Sequence, residues 1–193
     1  MEFIKSFLKN LFSFLVVKKV MILGVENVGK TTLLYNICNV NSQNENNKNI
    51  LHSTTTTTTT IPTNGFNIES IVIDEIRYDF WDIGGKETNR ICYRHYLTND
   101  IDSIIFVFDS SDINSLEESK KEFQYLKNQN ALKNVSFLLV ANKQDLQQPI
   151  EINDILKNYF DNVSLNDLIL MSQINNYNDI MKCINRISSN NNY

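Results

Sequence analysis

The chain has 193 residues, 42% of them hydrophobic, which suits one domain with a core of its own. A formal net charge of −4 and the lack of a basic stripe exclude an ordinary nucleic-acid binder. Cys38, Cys92 and Cys183 are odd in number and far apart, so neither a disulfide framework nor a zinc site is indicated; buried thiols in a reducing compartment are the simplest reading.

Residues 1–16 read as an amphipathic helix. Phe3, Ile4, Phe7, Leu8, Leu11, Phe12, Leu15 and Val16 recur at three- and four-residue steps, with Glu2, Lys5, Ser6, Lys9, Asn10 and Ser13 on the other face. The apolar run is too short to span a bilayer, and it leads straight into a strand, which argues against a cleaved signal peptide. Such a helix lies in a membrane interface or packs on its own domain, and periodicity alone does not choose between them.

Val20, Met21, Ile22 and Leu23 form an apolar strand, and Gly24, Val25, Glu26, Asn27, Val28, Gly29, Lys30 and Thr31 then spell the pattern G-x-x-x-x-G-K-[ST] of a phosphate-binding loop. Thr32-Leu33-Leu34-Tyr35 opens a helix after it, so the motif has the strand and helix that it requires. Backbone N–H groups of the loop can curl around a phosphate, Lys30 brings a point charge to the β/γ oxygens, and the Thr31 hydroxyl can ligate Mg²⁺. The competing reading is a tight strand-to-helix turn.

Residues 39–49 contain six asparagines, and Thr54 to Thr60 is an unbroken threonine run. Neither supplies the apolar surface that would offset the entropy of ordering, so residues 39–60 are expected to form a disordered, low-complexity insertion. Thr63 follows in TIPTNGFN, where its hydroxyl can complete a Mg²⁺ shell once a γ-phosphate closes the loop; a plain turn residue is the alternative.

Ile68 to Ile73 and Ile76 to Trp81 read as an antiparallel hairpin turning at Asp74-Glu75. Asp82-Ile83-Gly84-Gly85 follows it: a strand-terminal aspartate for the magnesium shell, then glycines that let a backbone N–H approach a terminal phosphate. Ser103 to Asp109, Ser136 to Asn142 and Asp167 to Ser172 are short, nearly continuous apolar runs, as buried strands should be. Leu116 to Asn128, Ile152 to Tyr159 and Asp179 to Ile187 are helical. The alternation predicts a doubly wound α/β domain with its ligand at the carboxyl ends of the strands. At one such end stands Asn142-Lys143-Gln144-Asp145, where the Asp145 carboxylate can accept from guanine N1–H and its exocyclic amine, groups that adenine lacks or reverses.

Together, GVENVGKTT, TIPTNGFNIE, WDIGGKETNR, YRHYL and ANKQDL resemble the small GTPases of the ADP-ribosylation factor (Arf) and Arf-like family, from about Val17 to Ile187 apart from the insertion. Nineteen positions separate Thr63 from Asp82, the length of the family's short interswitch hairpin. The resemblance implies a P-loop G domain over residues 17–188, with a mostly parallel six-stranded sheet, one antiparallel edge strand and helices on both faces; residues 189–193 form a tail. It implies GTP/GDP and Mg²⁺ as ligands, with Thr31 and Thr63 on the metal and Lys30, Gly85 and position 86 at the chemistry. Ser172 and Gln173 fall where the family lends a backbone N–H to the guanine carbonyl. Phe66, Trp81 and Tyr96 match an aromatic trio that reads the switch state and meets effectors; ordinary core packing is the plainer reading of the same three.

The resemblance also implies an exchange factor, an activating protein and effectors as partners, a monomer, and a cytoplasmic protein peripheral on endomembranes, the Golgi above all. It further implies that the leading helix is held in a groove with GDP and expelled onto the membrane with GTP. Members with a myristoyl chain begin Met-Gly, whereas position 2 here is Glu2, so binding would rest on the apolar face with help from Lys5 and Lys9. Met1-Glu2 is compatible with the acetylated initiator methionine that some Arf-like relatives use.

The chief departure is Lys86, where the family has a glutamine that aims the attacking water. An ammonium has three donors and no acceptor, so hydrolysis is expected to be slow. The opposing reading, a charge acting as an arginine finger does, leaves the water unaimed. Glu26, Asn64 and Tyr93 also depart from the family pattern and are expected to alter which exchange factor or effector binds. The favoured reading is a GTP/GDP switch in vesicle traffic, and its rival is a degenerate or GTP-locked module that no longer cycles. An ATP-using kinase or ATPase is disfavoured by Asp145.

Overall fold

The computed structural model describes residues 17–44, 63, 65–73, 76–145, 151–160, 168–170 and 177–189. The amphipathic helix predicted over 1–16, the rest of the insertion, Asn64, the Asp74-Glu75 turn, Ser172, Gln173 and the tail from 190 lie outside the described residues.

Six strands form one sheet in the order β2-β3-β1-β4-β5-β6. They are β1 (Val17–Leu23), β2 (Phe66–Ile73), β3 (Ile76–Ile83), β4 (Ser103–Asp109), β5 (Ser136–Asn142) and β6 (Leu168–Leu170). Only β2 and β3 pair antiparallel, in the register Phe66↔Ile83 to Ile73↔Ile76; the other pairings are parallel. The sheet therefore has the predicted composition, six strands with an antiparallel one at its edge.

Parallel strands joined by helical crossovers are covered on both faces, which is why β4 is buried at every residue. The two-residue period of β1 splits the core accordingly. Val20 and Ile22 point to one apolar cluster, beneath α1 (Lys30–Asn44) and α5 (Tyr177–Ser189), where Leu33, Ile37, Cys183 and Ile187 pack. Met21 and Leu23 point to the other, beneath α3 (Ile113–Lys127) and α4 (Ile152–Tyr159), where Leu116, Phe123, Ile155 and Phe160 pack.

Several boundaries differ from the sequence reading: β2 begins at Phe66, β3 runs on to Ile83 so that Asp82 lies within the strand, β6 spans Leu168–Leu170, and α5 is longer at both ends. Helix α1 runs on to Asn44, into the stretch expected to be a disordered insertion, because the hydrogen-bond ladder begun by Leu33 and Leu34 on the sheet needs no further apolar residue for its last turns. Helix α3 begins at Ile113, where the Asp112 side chain caps it by accepting from Asn114 N at 2.9 Å. Helix α2 (Glu87–Tyr93) was not legible at all: seven residues with no apolar periodicity, followed by a 3₁₀ turn over Arg94–Tyr96. Among the described residues no helix is long and apolar enough to cross a membrane.

Candidate nucleotide site

The segment from Gly24 to Thr31 leaves β1 at its carboxyl end and enters α1. Its turn uses left-handed backbone at Gly24 (φ 145°), Asn27 (φ 62°) and Gly29 (φ 96°). Gly24 is fixed by space as well as by angle, since a Cβ there would stand 2.1 Å from the Val107 carbonyl oxygen of β4. Lys30 is buried, and its Nζ donates to the Val25 carbonyl at 2.6 Å across the loop. Burial lowers the Lys30 ammonium from 10.5 to about 8, with the Asp82 carboxylate opposing part of that shift.

The ends of three separate segments then converge. Thr31 Oγ1 lies 2.8 Å from Thr63 Oγ1 and donates to Asp82 Oδ2 at 2.5 Å, and Thr63 Oγ1 reaches the same carboxylate oxygen at 3.3 Å. Asp82 is fully buried, which pushes its carboxyl above the usual range, while hydrogen bonds from Thr31 and Thr63 and the charge of Lys30 pull the other way. Its second oxygen, Oδ1, has no partner among the described residues. Mg²⁺ takes oxygen ligands at about 2.1 Å, which places neighbouring ligands of its octahedron roughly 3.0 Å apart. The two hydroxyls and the carboxylate fit such an ion in chemistry and spacing.

These groups border an open hollow lined by Glu26, Asn27, Gly29, Lys30, Thr31, Thr32, Thr63, Gly84, Gly85 and Lys86. Gly85 is pressed against the loop: a Cβ on it would lie 2.3 Å from Val25 O and 2.5 Å from Lys30 Nζ. Lys86 is exposed at the rim, as the residue preceding α2.

The segment from Asn142 to Asp145 is joined to the Gly24–Thr31 loop by a buried contact, Asn142 Nδ2 donating to Val28 O at 2.8 Å. Lys143 takes a left-handed φ of 64°, and its Nζ pairs with Asp109 Oδ2 at 2.6 Å. Burial alone would raise the Asp109 carboxyl, but donors from Lys143 and Ser111 outweigh it and hold that group below its usual range. Gln144 donates to Ser110 Oγ, and Ser110 donates through N and Oγ to Asn142 O. Asp145 is exposed rather than buried, so an unpaired wrong base would be penalised only once a purine covers the carboxylate. Asp109 and Ser110 were missed from sequence, although a polar pair ending an apolar strand was there to be read.

Phe66, Trp81 and Tyr96 do come together. Phe66 stacks on Trp81 at 5.6 Å between centroids, and Tyr96 lies 6.0 Å and 6.3 Å from the two. Core packing describes only Trp81, which lies partly buried against the second apolar cluster, whereas Phe66 is 49% and Tyr96 43% exposed. Tyr93 does the reverse of what was expected: it is buried, and its hydroxyl donates to Glu122 of α3, so it braces the fold instead of facing a partner.

The family model for the ADP-ribosylation factor family matches residues 4–190. The chain belongs to the Arf family. Among its relatives is an ADP-ribosylation factor-like protein of Dictyostelium discoideum, 71% identical over 191 residues, which covers 98% of this chain and 100% of that one. ADP-ribosylation factor K of the same organism is 32% identical over 154 residues, 78% of this chain and 73% of the relative. Its ADP-ribosylation factor-like protein 2 is 35% identical over 148 residues, 77% and 71% of the two. Among solved structures, the Arl6 small GTPase of Trypanosoma brucei with the nucleotide analogue GppNp superposes with a TM-score of 0.67 at 22% identity, covering 90% of this chain and 96% of that one; this likeness speaks for the fold alone. The Arf-family G domain binds guanine nucleotide, and this chain is a GTP-binding small GTPase, a class that works through regulators and effectors.

Proposed function

We propose that this Arf-family chain is a Mg²⁺-dependent GTP/GDP switch that, when loaded with GTP, recruits effectors to endomembranes of the vesicle-traffic system, the Golgi foremost. The observation that carries the reading is the meeting of Thr31, Thr63 and Asp82 oxygens beside Lys30. A hydroxyl brought from a distant loop to the end of the phosphate loop and a buried carboxylate is the arrangement that a metal and a terminal phosphate would use. Lys30 would neutralise the β/γ oxygens, the Gly85 N–H would meet the third phosphate, and Asn142, Lys143 and Asp145 would hold the guanine. Thr31 and Thr63 would bind the ion, with Asp82 completing its surroundings; the ion supplies charge neutralisation to the phosphates.

The aromatic trio supports effector recruitment, because two of its rings, Phe66 and Tyr96, are half open to solvent on the strand and turn that border the site. Membrane attachment rests on the amphipathic pattern of residues 3–16. Hydrolysis is slow in this reading, since Lys86 at the rim offers a water only donors. That same residue favours a second reading, a GTP-locked module that does not cycle. Chromatography of the nucleotide released from the purified protein separates them. GDP supports the cycling switch and GTP the locked form, while an adenine nucleotide or none sinks both.

A further inference from the structure

Helix α2 holds Thr63 through a contact that phosphate chemistry does not demand. The half-buried Asn89 donates from Nδ2 to the Thr63 carbonyl at 3.2 Å. Gly84 independently marks the same junction: a Cβ on it would fall 2.3 Å from Asn89 Nδ2 and 2.3 Å from Thr63 O. The absent side chain is what lets the amide and the carbonyl meet. Gly84 N also donates to Gly65 O at 2.9 Å, so the seam continues past Thr63.

The other side of α2 is fastened to α3. Arg90 and Tyr93 lie three residues apart on one helix, Glu118 and Glu122 four apart on the other, and both spacings put their pair on one face. Tyr93 donates to Glu122 and Arg90 Nη2 to Glu118, with Arg90 Nε 3.7 Å from Glu122 Oε2. Arg90, Tyr93 and Glu122 are all buried. Asn89 therefore works from a fixed support.

We infer that Asn89 is a positioning residue that clasps Thr63 in place, keeping its Oγ1 beside Thr31 and Asp82. The inference rests on the switch reading above. In that reading the Thr63 hydroxyl serves the metal in the GTP form and not in the GDP form, so a clasp on Thr63 favours GTP over GDP. A side chain that merely braced the fold would affect both nucleotides alike.

The test measures dissociation of fluorescent GDP and of the hydrolysis-resistant analogue GppNp from the full chain with Mg²⁺. It compares wild type, Asn89→Ala, and Asn89→Asp, which keeps the size and replaces the donor by an acceptor. Loss of one hydrogen bond corresponds to roughly three- to tenfold in a rate. The analogue should leave both variants about that much faster, GDP no more than about twofold faster, with Trp81 emission in the analogue form shifted toward the GDP form. Equal acceleration for both nucleotides, or none for either, would overturn the clasp while leaving the switch reading intact. A wild-type chain that takes up neither guanine nucleotide would overturn both. Should Asn89→Ala fail to fold, Asn89→Asp carries the comparison.

Discussion

The Asn142 side-chain amide donates to the Val28 carbonyl, 114 positions away in sequence, and so locks the loop that would read the base to the loop that would hold the phosphates. Both groups are buried. Asn142→Ala would leave the Val28 oxygen without that donor, at a cost of about 1–3 kcal/mol, and would free the two loops to separate. GDP and GTP should both dissociate roughly 10- to 100-fold faster, as read with a fluorescent nucleotide. Unchanged off-rates would mean that the contact does not brace the site.

Lys86 lies at the rim of the hollow directly after Gly85, and it supplies no hydrogen-bond acceptor for a water. In single-turnover assays Lys86→Gln should cleave bound GTP faster than wild type, by about tenfold or more. Equal rates would show that position 86 is not what limits hydrolysis.

Lys30 predicts a pH dependence with a definite sign. Burial lowers its folded, phosphate-free value to about 8 from 10.5, so the unfolded chain holds an extra proton between those values. The resulting destabilisation is full below pH 8 and fades as pH rises toward 10.5. Bound phosphates favour the ammonium and raise that value again. Nucleotide binding should therefore take up a proton above about pH 8, and affinity should fall by up to tenfold per pH unit there while staying flat near neutrality. Calorimetry in two buffers of different ionisation enthalpy measures the uptake; none at about pH 9 would contradict the assignment of Lys30 as the phosphate-facing group.

The leading segment gives a prediction from sequence alone. Its apolar face, with Lys5 and Lys9 opposite, should bring the GTP-loaded chain to anionic liposomes, and removing residues 2–16 should abolish flotation. If the shortened chain floated equally well, membrane affinity would have to come from the G domain.

Much of the site is legible in the sequence because its chemistry is written in contiguous tokens. The loop from Gly24 to Thr31 needs a strand before it and a helix after it, and local apolar runs announce both. The central parallel strands could be read for the same reason, since burial on two faces demands nearly uninterrupted apolar stretches such as Ser103 to Asp109, while β2 and β3 were legible as two runs joined at a tight turn. Helix α2 could not, because its stability comes from Arg90 and Tyr93 meeting side chains of α3 and not from any periodicity of its own.

The amino-acid order thus determined the class of ligand and the sheet that presents it, since nearest-neighbour spacing dictates both a phosphate cradle and a two-residue burial period. Three-dimensional packing alone decided that Tyr93 turns inward, that Phe66 and Tyr96 stay open, and that Asn89 reaches Thr63. Each of those outcomes depends on which distant surfaces come within hydrogen-bonding or van der Waals range, a property of the closed fold that no local window contains.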